Sequence, residues 1–160
     1  MSLPIPYRRT LSVSYAMRWA LSRSPRYYDF SELGGDCTNF VSQCLYAGGG
    51  VMNFTPDTGW YYLGLNNRAP AWTGARFLQE FLTTNRGPGP VALEMPLEEL
   101  WLGDVIFLTR DEVAYHSLLV TGFEGRMPLV STHSADVLNV PLTNYPVAVA
   151  RGFHILHFQF

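Results

Sequence analysis

Gly34-Gly35-Asp36-Cys37 is the stretch whose residue types and spacing could do chemistry. The thiolate is the reactive form of cysteine, and the positive end of a helix dipole lowers the pKa of a thiol in the first turn. The residues that follow supply such a helix. Phe40, Val41, Cys44, Leu45 and Gly48 form one apolar face at helical spacing. Asp36 is placed as the N-cap and Gly48-Gly49-Gly50 as the C-terminal stop. The two glycines ahead of Cys37 allow a sharp turn and the close approach of a substrate. The Cys37 N–H would then face a developing oxyanion. The competing reading is a small buried thiol after a turn, the commoner fate of a lone cysteine.

Two histidines shift that balance. His116 begins a strand in Tyr115-His116-Ser117-Leu118-Leu119-Val120-Thr121, where it can pack or act as a base. His133, in Ser131-Thr132-His133-Ser134, is expected on the neighbouring strand. Side chains alternate along strands, so the two imidazoles share a face if the register allows. His133 would then hold His116 in the productive tautomer, the base-plus-orienter logic of a triad. Asp136 is the competing orienter.

Other chemistries are excluded or disfavoured by what the chain lacks. All eleven basic residues are Arg, so Schiff-base lysine chemistry and a lysine-bearing phosphate loop are ruled out. There is no G-x-S-x-G elbow and no H-E-x-x-H helix. The net charge of -2, without a basic run, argues against nucleic acid as a partner. No apolar run reaches the roughly 18 residues of a membrane span. Residues Met1 to Thr10 lack the apolar core of a secretory signal, and read as a plain start or the cut end of a longer exported chain. Cys37 and Cys44 lie two helical turns apart, about 10 Å, too far to bridge, so both are expected as free thiols, Cys44 in the core. His154 and His157 point to opposite faces of a strand. A zinc site of Cys37, His116 and His133 lacks a local chelating pair. No metal or other cofactor is expected.

The elements that must position these groups follow from the patterning. At 160 residues and 48% apolar content, one domain with a full core is expected, with residues 1–6 as a tail. Helices are predicted over 10–22, 36–47 and 72–82. Strands are predicted over 104–109, 116–123, 129–132 and 153–160, with a hairpin at Glu124-Gly125-Arg126 and a firm break over 85–90. Asp104 is read as a turn former. Helices first and an antiparallel sheet second make the fold class α+β, N-terminal helices packed on a C-terminal sheet. Trp60-Tyr61-Tyr62 lies in a loop and either lines a substrate groove or folds over the core.

The blocks G-G-D-C-T-N-F-V-S-Q-C-L-Y-A-G-G, W-Y-Y, L-G-D-V-I-F, H-S-L-L-V-T-G and S-T-H-S-A-D together resemble the bacterial "putative amidase" domain family. That family is similar to the NlpC-type and CHAP cell-wall hydrolases, which share a papain-like core. The resemblance covers the chain from about Tyr7 to the last strand. It implies a papain-like, NlpC-type fold with Cys37 as nucleophile, His116 as base and His133 as orienter. Asp36, Trp60 and Tyr28 are the candidate substrate contacts, Tyr28 because related hydrolases place a tyrosine near the oxyanion. The implied activity is cysteine-dependent amide hydrolysis through a thioester, on a peptide or amide substrate such as peptidoglycan. The alternatives are acyl transfer from the same thioester and a catalytically silent peptide- or glycan-binding module.

Overall fold

The computed structural model describes residues 3–160. The chain runs β1 (Pro4–Ile5), α1 (Arg9–Trp19), α2 (Cys37–Gly49), β2 (Tyr62–Gly64), β3 (Asn67–Arg68), α3 (Pro70–Thr73), α4 (Ala75–Thr84), β4 (Gly89–Met95), β5 (Val105–Arg110), β6 (Val113–Glu124), β7 (Met127–Thr132), β8 (Val137–Pro141) and β9 (Val149–Gln159). Seven of the strands form one sheet with every pairing antiparallel, while β2 and β3 make a separate hairpin. The long strand β9 pairs β4 along one edge. Its other edge is shared by β5 and, at Phe158 and Gln159, by β1. From β5 the sheet continues through β6 and β7 to β8. Among the described residues no helix is long and apolar enough to cross a membrane.

Strand alternation divides the core between the two faces of the sheet. Val105, Phe107, Leu119 and Phe153 point to one face and meet Phe40, Val41, Cys44 and Leu45 of α2 and Leu78 and Leu82 of α4. Ile106, Leu108, Leu118 and Val120 point to the other, beneath Leu100, Leu142 and Tyr145. Helix α1 packs on α2 through Ser12, Ala16 and Ala20, spaced at i, i+4 and i+8 and fully buried. These small side chains let the helices approach closely and leave Leu11 and Met17 outside. Both cysteines are free and buried.

Several expectations need correction. Pro4 and Ile5 are paired to β9, so those residues are not a tail, while Met1 and Ser2 lie outside the described residues. The helix expected over 72–82 is two helices, broken at Gly74 in an extended conformation, and Phe77 is exposed. The break over 85–90 gives way at Gly89 to β4, and β8 was not anticipated from the sequence. Both have weak apolar alternation because they are edge strands, each paired along one side. Strand β6 starts three residues before His116. Trp60 is completely buried, donates its indole N–H to Ser42 Oγ at 3.0 Å and lies 4.7 Å from the Trp72 ring, so it belongs to the core and not to a groove wall.

Only the last of the three glycines stops α2. Gly50 takes the left-handed conformation, φ 74°, and its N–H bonds Tyr46 O. Gly48 and Gly49 are helical and serve close packing: a Cβ on Gly49 would meet the Phe158 ring at 2.3 Å. Gly49→Ala should therefore destabilise the protein by about 1–3 kcal/mol through overpacking. Gly50→Ala, with open space around it, should cost about 1–2 kcal/mol through backbone conformation alone. Urea unfolding separates the two cases when each is combined with Phe158→Leu. Relief is expected for Gly49→Ala only.

Candidate functional site

The start of α2 is set by a buried carboxylate. Asp36 has no exposed surface and makes no side-chain cap to its own helix. Its Oδ1 accepts from the Phe30 N–H at 2.8 Å and from Asn39 Nδ2 at 2.9 Å. Its Oδ2 lies 2.5 Å from His133 Nδ1 and 3.5 Å from Arg23 Nε. The Asp36 N–H donates to Ser134 Oγ at 3.0 Å. Gly34 and Gly35, at φ 90° and 100°, provide the turn into this position, as the sequence implied. Asp36 is thus consumed by internal bonds, which corrects its assignment as a substrate contact.

His133 belongs to the same clamp. Its Nε2 lies 2.8 Å from the Trp19 carbonyl, which can only accept. Its two ring nitrogens are thus both taken up, Nδ1 by the Asp36 carboxyl and Nε2 by a backbone carbonyl. The ring is buried and packs on Phe40, centroids 4.3 Å apart. It does not orient His116. The register pairs Leu119 with Ser131, so position 133 falls opposite Ser117, one residue and therefore one face away from His116. Asp136 is not the orienter either, since both its oxygens accept from Arg23, at 2.8 and 3.0 Å.

Cys37 itself lies at the rim of the sheet. The β6–β7 ladder ends at Leu119 and Ser131. Beyond it the Ser117 carbonyl accepts from Thr132 Oγ1 at 2.7 Å, and the Ser117 N–H is directed at the Cys37 thiol. The Ser117 and Thr38 side chains hydrogen-bond at 2.9 Å, fixing the first turn of α2 against β6. The thiol is therefore held beside Ser117, the residue that follows His116. His116, paired across to Leu108, projects to the opposite sheet face and is half-buried. Its ring lies 6.0 Å from that of Tyr145, tilted by 55°. Burial, with a lesser contribution from Cys37, holds the Tyr145 phenol above its ordinary range.

Burial dominates the electrostatics of this pair. It pushes the Cys37 thiol up, with the Asp36 charge adding to the effect. The N–H groups of Ser117 and Thr38 and the Thr38 hydroxyl pull the other way and do not prevail. This reverses the expectation of a thiol depressed by the helix dipole: removal from water outweighs the helix terminus. Burial alone lowers His116 below its ordinary value. At neutral pH the resting pair is a protonated thiol and a neutral imidazole.

The remaining candidates lie elsewhere. Tyr28 is exposed, packs edge-on against Phe30, and is tied by its backbone to Tyr62 and Asn39; no contact joins it to Cys37. Asp104 is more than a turn former. It is fully buried, ion-paired to Arg9 at 2.7 Å, and bonded to His154 Nδ1 at 2.8 Å and to the N–H groups of Trp101 and Ile155. His157 turns instead to Gln159. Tyr145, Ser117 and Thr38 were missed as site residues. Tyr145 sits in Leu142-Thr143-Asn144-Tyr145-Pro146, which carries no local signal beyond a turn.

The fold is thus of the mixed helix-and-sheet class with a large antiparallel sheet, and its candidate site holds the Cys37 thiol beside Ser117 where α2 meets β6. The chain belongs to the family described as "Putative amidase domain", which it matches over residues 6–156. It is 33% identical over 135 residues to a Bacillus subtilis (strain 168) protein named "Uncharacterized protein YhbB". That match covers 81% of this chain and 42% of the relative, so the chain spans less than half of the relative's length. No solved structure matches the chain.

His133→Ala leaves a buried Asp36 oxygen without its hydrogen-bond partner and should cost about 1–3 kcal/mol in urea unfolding. Asp136→Ala breaks only the half-exposed pair with Arg23 and should cost less than about 1 kcal/mol. Equal losses in the two variants would contradict the clamp.

Proposed function

We propose that this protein is a cysteine-dependent amide hydrolase, with Cys37 as nucleophile and His116 as general base, in a papain-like arrangement. The observation that carries the reading is the placement of the Cys37 thiol against Ser117, next in the chain to His116, with the first turn of α2 locked to β6. Membership of the amidase family supports the reaction class. Peptide amides, such as those of cell-wall peptides, are the proposed substrates.

The resting pair dictates the order of steps. Cys37 starts as S–H and His116 as neutral imidazole, so the proton moves from sulfur to nitrogen as sulfur attacks the amide carbonyl. The new S–C bond leaves a tetrahedral oxyanion. The first intrahelical bond of α2 runs from the Phe40 N–H to Asp36 O. The N–H groups of Cys37, Thr38 and Asn39 precede it and make no intrahelical bond, and that of Cys37 is the proposed oxyanion donor. Collapse breaks the C–N bond, and His116 returns the proton to the leaving amine. Water then adds to the thioester, again giving its proton to His116, and sulfur leaves and is reprotonated.

Cys37→Ala should abolish turnover of a chromogenic peptide amide, by on the order of 10³-fold or more, with an unchanged thermal unfolding profile. His116→Ala should cost roughly 10²–10⁴-fold. Wild-type turnover in Cys37→Ala would overturn the reading. Because burial lowers His116, the acid limb of kcat/KM should fall below the ordinary histidine value of 6.5. Activity is lost only as pH drops through that lowered value, where the imidazole is protonated and can no longer accept the thiol proton. An acid limb at or above 6.5 would argue against His116 as the base.

A further inference from the structure

The arrangement around His116 lacks the polar partner that usually fixes a catalytic imidazole. Both nitrogens of His133 are spent on Asp36 and Trp19, and Asp136 is spent on Arg23. His116 makes no side-chain hydrogen bond among the described residues. Across β5 it faces Leu108, and on its own sheet face it meets Tyr145. Tyr145 is the titratable group whose ring packs beside it, and burial alone shifts it.

We propose that Tyr145 is the positioning residue for His116: its aromatic ring, 6.0 Å away and tilted by 55°, keeps the imidazole turned toward Cys37 in place of a polar third residue. The inference rests on the reading of Cys37 and His116 given above. A tilted ring packed beside an imidazole restricts its rotation and leaves its nitrogens free to exchange a proton. The same ring keeps water from the imidazole, which favours the neutral, proton-accepting form. Tyr145 therefore acts through His116, and its ring matters more than its hydroxyl.

The test compares Tyr145→Phe with Tyr145→Ala in the whole chain. Tyr145→Phe keeps the ring and should retain kcat within about threefold, with the His116 titration unchanged. Tyr145→Ala should lower kcat by tenfold or more with little change in KM, as misplacing a catalytic group does. In that variant the His116 pKa, read from its ring protons by NMR, should rise toward 6.5 as water gains access. A wild-type titration in Tyr145→Ala, or an equal loss of kcat in both variants, would overturn the proposal. Should Tyr145→Ala fail to fold, the wild-type chain still decides. A nuclear Overhauser effect between the Tyr145 and His116 ring protons is expected, and its absence overturns the proposal. The NMR readouts do not depend on hydrolysis, so a failure of the Cys37 reading, seen in Cys37→Ala, is distinguishable from a failure here.

Discussion

A carboxylate with no access to water must find every one of its partners inside the protein. Asp36 is in that position, and the rest of the site depends on how it is satisfied. Its partners come from both sides of it in the chain and from far beyond: the loop at Phe30, the first turn of α2 at Asn39, and the distant connection after β7 at His133. Arg23 adds a positive charge from beyond α1. Leaving any of them unpaired in the interior is costly, so the start of α2 is pinned to the end of β7 and Cys37 is carried to the sheet rim. Ser134 and Ala135, at φ 65° and 60°, hold the backbone in the left-handed region where the chain turns into this clamp.

The same economy explains why α2 is polar where it is buried. Thr38, Asn39, Ser42 and Gln43 are all inside, and each is bonded: Thr38 to Ser117, Asn39 to Trp72, Ser42 to Trp60 and Gln43 to Tyr15. These contacts draw the aromatic layer onto the helix and fix its rotation. Fixing the rotation also fixes the direction of the Cys37 side chain. The interior that secures the helix also withholds water from the thiol and the imidazole, which keeps both uncharged at neutral pH.

Much of this was legible in the residues. The α2 pattern, the paired glycines before Cys37, the hairpin at Gly125 and the division into helices and antiparallel sheet all follow from local periodicity and turn chemistry, which act over a few residues. What failed to be legible depends on partners distant in sequence. Asp36 reads as a cap because its four partners cannot be seen from position 36. His133 reads as an orienter because one residue of register decides its face. Trp60 looks available in a polar loop, yet the loop folds inward to deliver it to Ser42. Gly48 and Gly49 look like a stop because the Tyr7 and Phe158 rings that need their space come from opposite ends of the chain. Tyr145 has no periodicity around it, and only tertiary packing brings it to His116.

The end of the β6–β7 ladder has a consequence of its own. Where the next strand would have offered a carbonyl to the Ser117 amide, a sulfur stands instead. The Cys37 sulfur has thus become a rung of the sheet and no longer belongs to a helix alone. Sheet register and thiol position are then a single coordinate, and a slip in β6 cannot spare the one while moving the other.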